Sequence, residues 1–318
     1  MKKKKASFLA SPKALISIIA GSALIIVAMV VALNGMNGNN DTAGTNSFPS
    51  LPAPSISSSE DSTSSTDIVS SEESSSSEAS SVTSSTVVSH EEPTYSESGK
   101  RKASYPANDG DKVCYLTFDD GPSKQVTTRL LETLEQYDAK ATFFVVGYGN
   151  LNLLDDIKAG GHSIGLHSDT HDWSIYKSEE AYFKDLQAIS NKVYDKIGEH
   201  PKIIRFPGGS SNTVSRNRCK GIMSKLVESV EDKGYVYFDW NVDSTDASDK
   251  KVSKEQIVNN VLKYAEGKDK ICVLMHDLTG KTTTADALPE ILAGLKEMGY
   301  RFEGLNENSP IFHQAVAN

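Results

Sequence analysis

Cysteine is scarce in this chain. The three present, Cys114, Cys219 and Cys272, are too few and odd in number to form a disulfide framework. Cys114 and Cys272 lie inside apolar runs, where a cysteine ordinarily serves as a small buried hydrophobe, and a bridge between them stays open. Basic charge is missing from long stretches. Residues 41–99 hold ten acids and no Lys or Arg, whereas residues 1–40 hold five lysines and no acid. The formal net charge is −9, which leaves only −4 for the remaining residues. A domain with so mild an acidic balance has no basic face for nucleic acid, which is excluded as a partner. Large apolar side chains are sparse over residues 34–104, where Ser and Thr dominate among acids and four prolines. Such a segment cannot offset the entropy lost on ordering, so it is expected to be a disordered, self-repelling linker.

Ahead of that linker stands an uncharged apolar run, residues 14–33. Its 20 residues match the roughly 20 that a helix needs to cross the hydrocarbon core. Lys2, Lys3, Lys4, Lys5 and Lys13 precede it. The positive-inside rule then keeps residues 1–13 in the cytoplasm and puts everything after the span outside. A cleaved signal peptide is the competing reading, but signal cores are shorter and end at a small-residue cleavage site, which is not evident here. The expectation is a single-pass membrane anchor.

From residue 105 to 318 the texture changes. Apolar strands are expected at 113–118, 141–146, 162–166, 203–206, 235–240, 271–275 and 301–304. Amphipathic helices are expected at 123–137, 152–159, 179–197, 221–233, 254–265 and 285–298. Alternation of this kind predicts parallel βα units, closed as a barrel or open as a doubly wound sheet.

Chemistry-bearing residues cluster where those strands end, the place where βα folds build their sites. The first cluster, residues 117–122 (TFDDGP), runs a strand into two adjacent carboxylates, Asp119 and Asp120. Adjacent residues point different ways, so one can bind a metal while the other acts as a base. The second, residues 167–171 (HSDTH), spaces His167 and His171 four apart, a spacing that lets both reach one ion. Asp120, His167 and His171 together offer one oxygen and two nitrogen ligands. Three protein ligands with an open position describe a catalytic rather than a structural zinc site. The third, residues 205–210 (RFPGGS), puts Arg205 where it can hold a carboxylate and a Gly pair whose N–H groups can stabilise an oxyanion. The fourth, residues 239–246 (DWNVDSTD), gathers acids and Trp240. The fifth, residues 274–277 (LMHD), sets His276 directly after a buried strand. Each string alone is a weak signal.

In this order the five strings resemble those of carbohydrate esterase family 4, the polysaccharide deacetylases that share the NodB homology domain. The resemblance covers about residues 113–305. It implies a distorted seven-stranded (β/α) barrel that hydrolyses acetyl groups from sugar residues with one divalent metal ion, zinc foremost, with cobalt or nickel also suited. It implies that Asp120, His167 and His171 hold the ion, that Asp119 is the catalytic base and that His276 is the general acid. Arg205 would orient Asp119, Asp246 would tune His276, Leu274 would line the acetyl-methyl pocket and the Gly208 N–H would face the oxyanion. Gly208 stands where many members have an aromatic residue, and Ala247 follows Asp246 where many have Trp, so Trp240 is expected to supply part of the wall. The substrate expected from anchor and linker together is peptidoglycan N-acetylglucosamine. Chitin-like polymers, acetyl-xylan and a catalytically silent glycan-binding module are the alternatives.

Overall fold

The structure, a computed structural model, describes residues 93–97, 99–248 and 251–318. The expected anchor and residues 34–92 of the expected linker lie outside the described residues. Among the described residues no helix is long and apolar enough to cross a membrane.

Eight parallel strands form one sheet: β1 (Val113–Asp119), β2 (Ala141–Val146), β3 (Ser163–Ser168), β4 (Ile203–Ile204), β5 (Val236–Tyr237), β6 (Val242–Asp243), β7 (Lys270–His276) and β8 (Arg301–Phe302). Six α-helices alternate with them: α1 (Thr127–Gln136), α2 (Leu154–Ala159), α3 (Glu179–Ile197), α4 (Ile222–Asp232), α5 (Lys254–Ala265) and α6 (Thr282–Glu297). Seven strands follow the path β5-β4-β3-β2-β1-β7-β6, and β8 pairs with β1 away from it. The two ends of that path are consecutive in the chain. Of the strand expected over 235–240 only Val236–Tyr237 is laddered, to β4, and the chain pairs with β7 through β6 just beyond that range. Four residues of backbone span the seam, with Phe238 N–H donating to Ile204 O at 2.9 Å and Asn241 N–H to Cys272 O at 3.2 Å. The result is a curled, incompletely laddered barrel.

Strand parity divides the core in two. Cys114, Leu116 and Phe118 of β1, Phe143 and Val145 of β2, and Val273 and Met275 of β7 pack outward with the helices in the larger apolar cluster. Val113 and Tyr115 of β1, Phe144 of β2 and Cys272 of β7 belong to a smaller inner cluster with Phe238, Leu305 and Phe312. Cys114 and Cys272 thus lie in different layers, and all three cysteines are free thiols. The open question of a bridge is settled against one. Continuing the inner parity along each strand places Thr117, Asp119, Arg205, Leu274 and His276 on the inner side.

Helix ends follow local chemistry. Ser178 caps α3 by accepting from Ala181 N–H at 3.1 Å, and Gly198, at φ 71°, ends it. Ser253 and Gln256 form a reciprocal capping box at the start of α5. The packed unit reaches back beyond the expected boundary at residue 105. Ser104 bridges to His313, and Arg101 is buried in a bidentate pair with Glu231 at 2.6 and 2.7 Å.

Candidate active site

Asp119 ends β1 and His276 ends β7, and the two are cross-strand partners in the ladder. His167 lies on β3, and Arg205 follows β4 directly. Asp120 and His171 each adopt positive φ, 70° and 51°. Side-chain-bearing residues are uncommon there, and such backbone gathers at functional sites.

Asp120, His167 and His171 form a three-donor group whose ligand atoms lie within 4.8 Å of one another. Asp120 Oδ1 is 3.4 Å from His167 Nε2 and 3.2 Å from His171 Nε2. His167 Nδ1 faces the Arg205 carbonyl at 2.8 Å, which fixes the ring and leaves Nε2 toward the cluster. Asp120 Oδ1 is buried without a hydrogen-bond partner. A buried lone carboxylate oxygen aimed between two imidazole nitrogens is what a divalent cation would satisfy, so the residues fit one. Burial works against ionisation of Asp120, but His171 and then His167 outweigh it and hold the carboxyl below its usual range.

Arg205 is fully buried and all five guanidinium donors are used, one of them on Cys272 Sγ at 3.3 Å. Nη1 donates to Asp119 Oδ1 at 2.9 Å and to Thr117 Oγ1 at 2.6 Å. Nε donates to Phe238 O at 2.9 Å, and Nη2 to Asp239 O at 3.0 Å. The ring of Phe144 stacks 4.3 Å from the guanidinium carbon. The expected hold on Asp119 is present, but through one N–H rather than a two-pronged fork. The remaining donors tie β1 to the seam. Asp119 Oδ2 lies 4.0 Å from His167 Nε2, beside the three-donor group.

On the opposite side, Asp246 bonds two nitrogens of His276, Nδ1 at 2.8 Å and the backbone N–H at 2.9 Å. Thr284 Oγ1 also donates to Asp246, at 2.8 Å. Burial lowers the His276 pKa, yet Asp246, then Asp120 and Asp119, more than reverse this and raise it to about 9. The imidazole therefore favours the cation at neutral pH.

The turn after β4 holds Gly208 and Gly209 at φ 75° each. Asp239 anchors it, accepting from Ser210 N–H and Gln314 N–H at 2.8 Å each and from the Ser210 hydroxyl. A Cβ at Gly208 would come within 2.9 Å of Trp173 Cη2, so a half-buried indole from the loop after β3 occupies the ground next to this glycine. Trp240 lies across Gly209 and 5.7 Å from the Arg205 guanidinium. Leu274 is 7% exposed and precedes His276 by two residues on β7.

Three residues of the site are given no role by the sequence. Asp185, on α3, accepts from Ser168 Oγ, Asp169 N–H, Thr170 N–H and Thr170 Oγ1 at 2.6 to 3.0 Å, and so cradles the loop between His167 and His171. Its signal was helical spacing: residue 185 shares the buried face with Tyr182, Leu186 and Ile189, where an acid needs partners. Trp173 could have been weighed as an aromatic two residues past a candidate ligand. Asp277 is buried, accepts from Thr127 Oγ1 at 2.5 Å and keeps Oδ1 without a partner. Burial raises its carboxyl to about 7, against the Thr127 hydrogen bond.

The sequence profile of the family described as polysaccharide deacetylase matches residues 107–223. A peptidoglycan-N-acetylglucosamine deacetylase of Bacillus cereus is 40% identical over 206 residues, 62% of this chain and 71% of that protein. The crystal structure of the catalytic domain of a peptidoglycan N-acetylglucosamine deacetylase from Eubacterium rectale is 41% identical and superposes with a TM-score of 0.63 over 68% of this chain and 98% of that one. A bifunctional xylanase/deacetylase of Pseudobutyrivibrio xylanivorans is 32% identical over 62% of this chain but only 30% of its own length. Fold, strand-end clusters and sequence agree, and this chain belongs to the polysaccharide deacetylase family.

Proposed function

We propose that the protein removes acetyl groups from N-acetylglucosamine residues of peptidoglycan outside the cell, held to the membrane by residues 14–33. One observation carries the chemistry. A buried carboxylate, Asp119, and an imidazole bonded to Asp246, that of His276, stand as neighbouring strand-end partners beside a three-donor cation site. Hydrolysis of an amide needs these two opposite proton-transfer roles, because water must lose a proton and the amine must gain one.

Asp120, His167 and His171 would hold one divalent ion, with zinc first among the candidates for an oxygen and two imidazoles. Such an ion supplies positive charge that polarises an acetamide carbonyl and makes water more acidic. Asp119 accepts the proton of the attacking water, its carboxylate kept in place by the Arg205 N–H. The Gly208 N–H, set in the turn that Asp239 anchors, donates to the oxyanion as the carbonyl carbon becomes tetrahedral. His276 delivers its Nε2 proton to the departing nitrogen while its Nδ1–H stays donated to Asp246. Leu274 offers an apolar surface to the acetyl methyl. The C–N bond breaks, and acetate and a glucosamine amine leave.

Support for peptidoglycan over other polymers comes from the names of the similar proteins, together with the apolar run, the five lysines before it and the long Ser-rich linker. Xylan remains a second reading because one similar protein couples a deacetylase to a xylanase. The test is acetate release from peptidoglycan, N-acetylglucosamine oligomers and acetyl-xylan, each before chelation, after it and after zinc or cobalt return. Release from the first two that chelation stops and metal restores supports the proposal. Release from acetyl-xylan alone would move the assignment to an O-deacetylase.

A further inference from the structure

The proton transfers above leave one prominent side chain at the site unused. Tyr148 follows β2 and is 61% exposed, the most exposed large apolar side chain among the described residues. A single exposed tyrosine is ordinary on a protein surface. The turn that carries this one is not ordinary. Val146 N–H donates to Gly121 O at 2.9 Å and Asn150 N–H to Pro122 O at 2.7 Å, which fastens the turn to the loop bearing Asp120. Gly147 N–H donates to Ser168 O at 3.1 Å, which fastens it to the loop bearing His167 and His171.

Both neighbours of Tyr148 are glycines for want of space. A Cβ at Gly147 would fall 1.8 Å from Asp169 Oδ1, and one at Gly149 would fall 2.7 Å from Gly121 O. The turn is thus wedged between the two loops that supply the cation ligands. Partial desolvation, then the charge of Asp120, push the Tyr148 phenol up to about 12, so the hydroxyl stays protonated. A rigid mount next to the reacting centre that presents a bare aromatic face costs a ligand little entropy to use. A pyranose offers the matching partner, an apolar face of C–H groups ringed by hydroxyls.

We propose that Tyr148 is a specificity-determining residue whose ring is a stacking platform for a sugar of the glycan chain at the mouth of the site. The inference rests on the deacetylase reading and adds to it how the chain is gripped. Tyr148 takes no part in proton transfer, so its loss weakens binding of the ground state and transition state together and appears in KM rather than kcat.

The test uses the metal-loaded full-length protein, wild type beside Tyr148→Ala and Tyr148→Phe, with matched metal content and melting temperature. Acetate release from the N-acetylglucosamine tetramer is measured for KM and kcat, and tetramer binding is measured by calorimetry. Tyr148→Ala is expected to raise KM and Kd about tenfold with kcat held within about twofold, while Tyr148→Phe keeps wild-type values. An unchanged KM and Kd in Tyr148→Ala overturns the proposal. So does a kcat loss shared by Tyr148→Ala and Tyr148→Phe, which would assign the hydroxyl to the chemistry. If wild type releases no acetate from the tetramer, the deacetylase reading fails for that glycan. The calorimetric comparison then still decides the platform: a tenfold weaker Kd upholds it, and an equal Kd or no binding rejects it.

Discussion

Asp246→Asn should move the alkaline limit of activity by more than two pH units. In the protein the His276 pKa is raised from 6.5 to about 9. At about 1.36 kcal/mol per unit this is a preference of roughly 3 kcal/mol for the imidazolium. Burial opposes that preference, and Asp246 is the largest influence that overcomes it, through its charge and its hydrogen bond to Nδ1. Asn keeps the size of the side chain and removes the charge. Burial then goes uncompensated by its main partner, and the pKa should fall to 6.5 or below. The sign follows directly: a general acid with a raised pKa works below that pKa and fails above it. One pH unit below the wild-type limit the protonated fraction is about nine-tenths, and a displacement of about 2.5 units lowers it to roughly 3%, so kcat there should fall about thirtyfold, while well below both limits it should be little changed. A cation bound at Asp120 offsets the contribution of that carboxylate, so the wild-type limit in the loaded enzyme lies below 9, and the displacement between variant and wild type is the quantity that counts. The assay is acetate release from an N-acetylglucosamine oligomer between pH 5 and pH 10, paired with an NMR titration of His276. An even loss of kcat at every pH, with the alkaline limit unmoved, would refute the reasoning.

Further expectations concern the loops and the buried charge. Asp120→Asn should abolish retention of zinc through dialysis and acetate release together, as read by elemental analysis beside the activity assay. Asp185→Asn should loosen the loop between His167 and His171 and weaken metal affinity by about 10- to 100-fold, measured by competition with a chelating dye. Arg205→Lys cannot reproduce five separately directed donors, and the buried Asp119 would lose its partner. A loss of about 3–5 kcal/mol in urea unfolding is expected, and a loss below about 1 kcal/mol would show that Arg205 is no structural hub.

Long elements were legible because one periodicity governs each of them. Helices α3 and α5 run over the same residues, 179–197 and 254–265, that the sequence spacing marks. The boundaries that moved did so for tertiary reasons. Residues 235–240 read as one apolar strand because β propensity sees a run and not a change of partner, whereas the ladder with β4 ends at Tyr237 and the ladder with β7 begins only at Val242. Helix α6 begins at Thr282 rather than 285, since Thr284 is drawn in by its bond to Asp246. Among site residues, the three cation donors could be read because ligand chemistry needs rare residue types at strand ends. Asp185 and Trp173 could not, because an acid on a helix or an aromatic in a loop has many ordinary uses, and Asp277, though inside the fifth string, has no role that its position alone reveals. Only their partners, Ser168 and Thr170, Gly208, and Thr127, distinguish them.

The four residues that carry the chain from β5 to β6 have a mechanical meaning. A barrel zipped shut by a ladder resists widening at every rung, but here the path of strands ends on both sides of a covalent hinge. Spreading the seam breaks no rung between β5 and β6. Asp239 sits inside the hinge and clamps the Gly208 turn, while just past β6 Asp246 grips His276. Any flexure of this hinge would therefore move the Gly208 turn and the grip on His276 together.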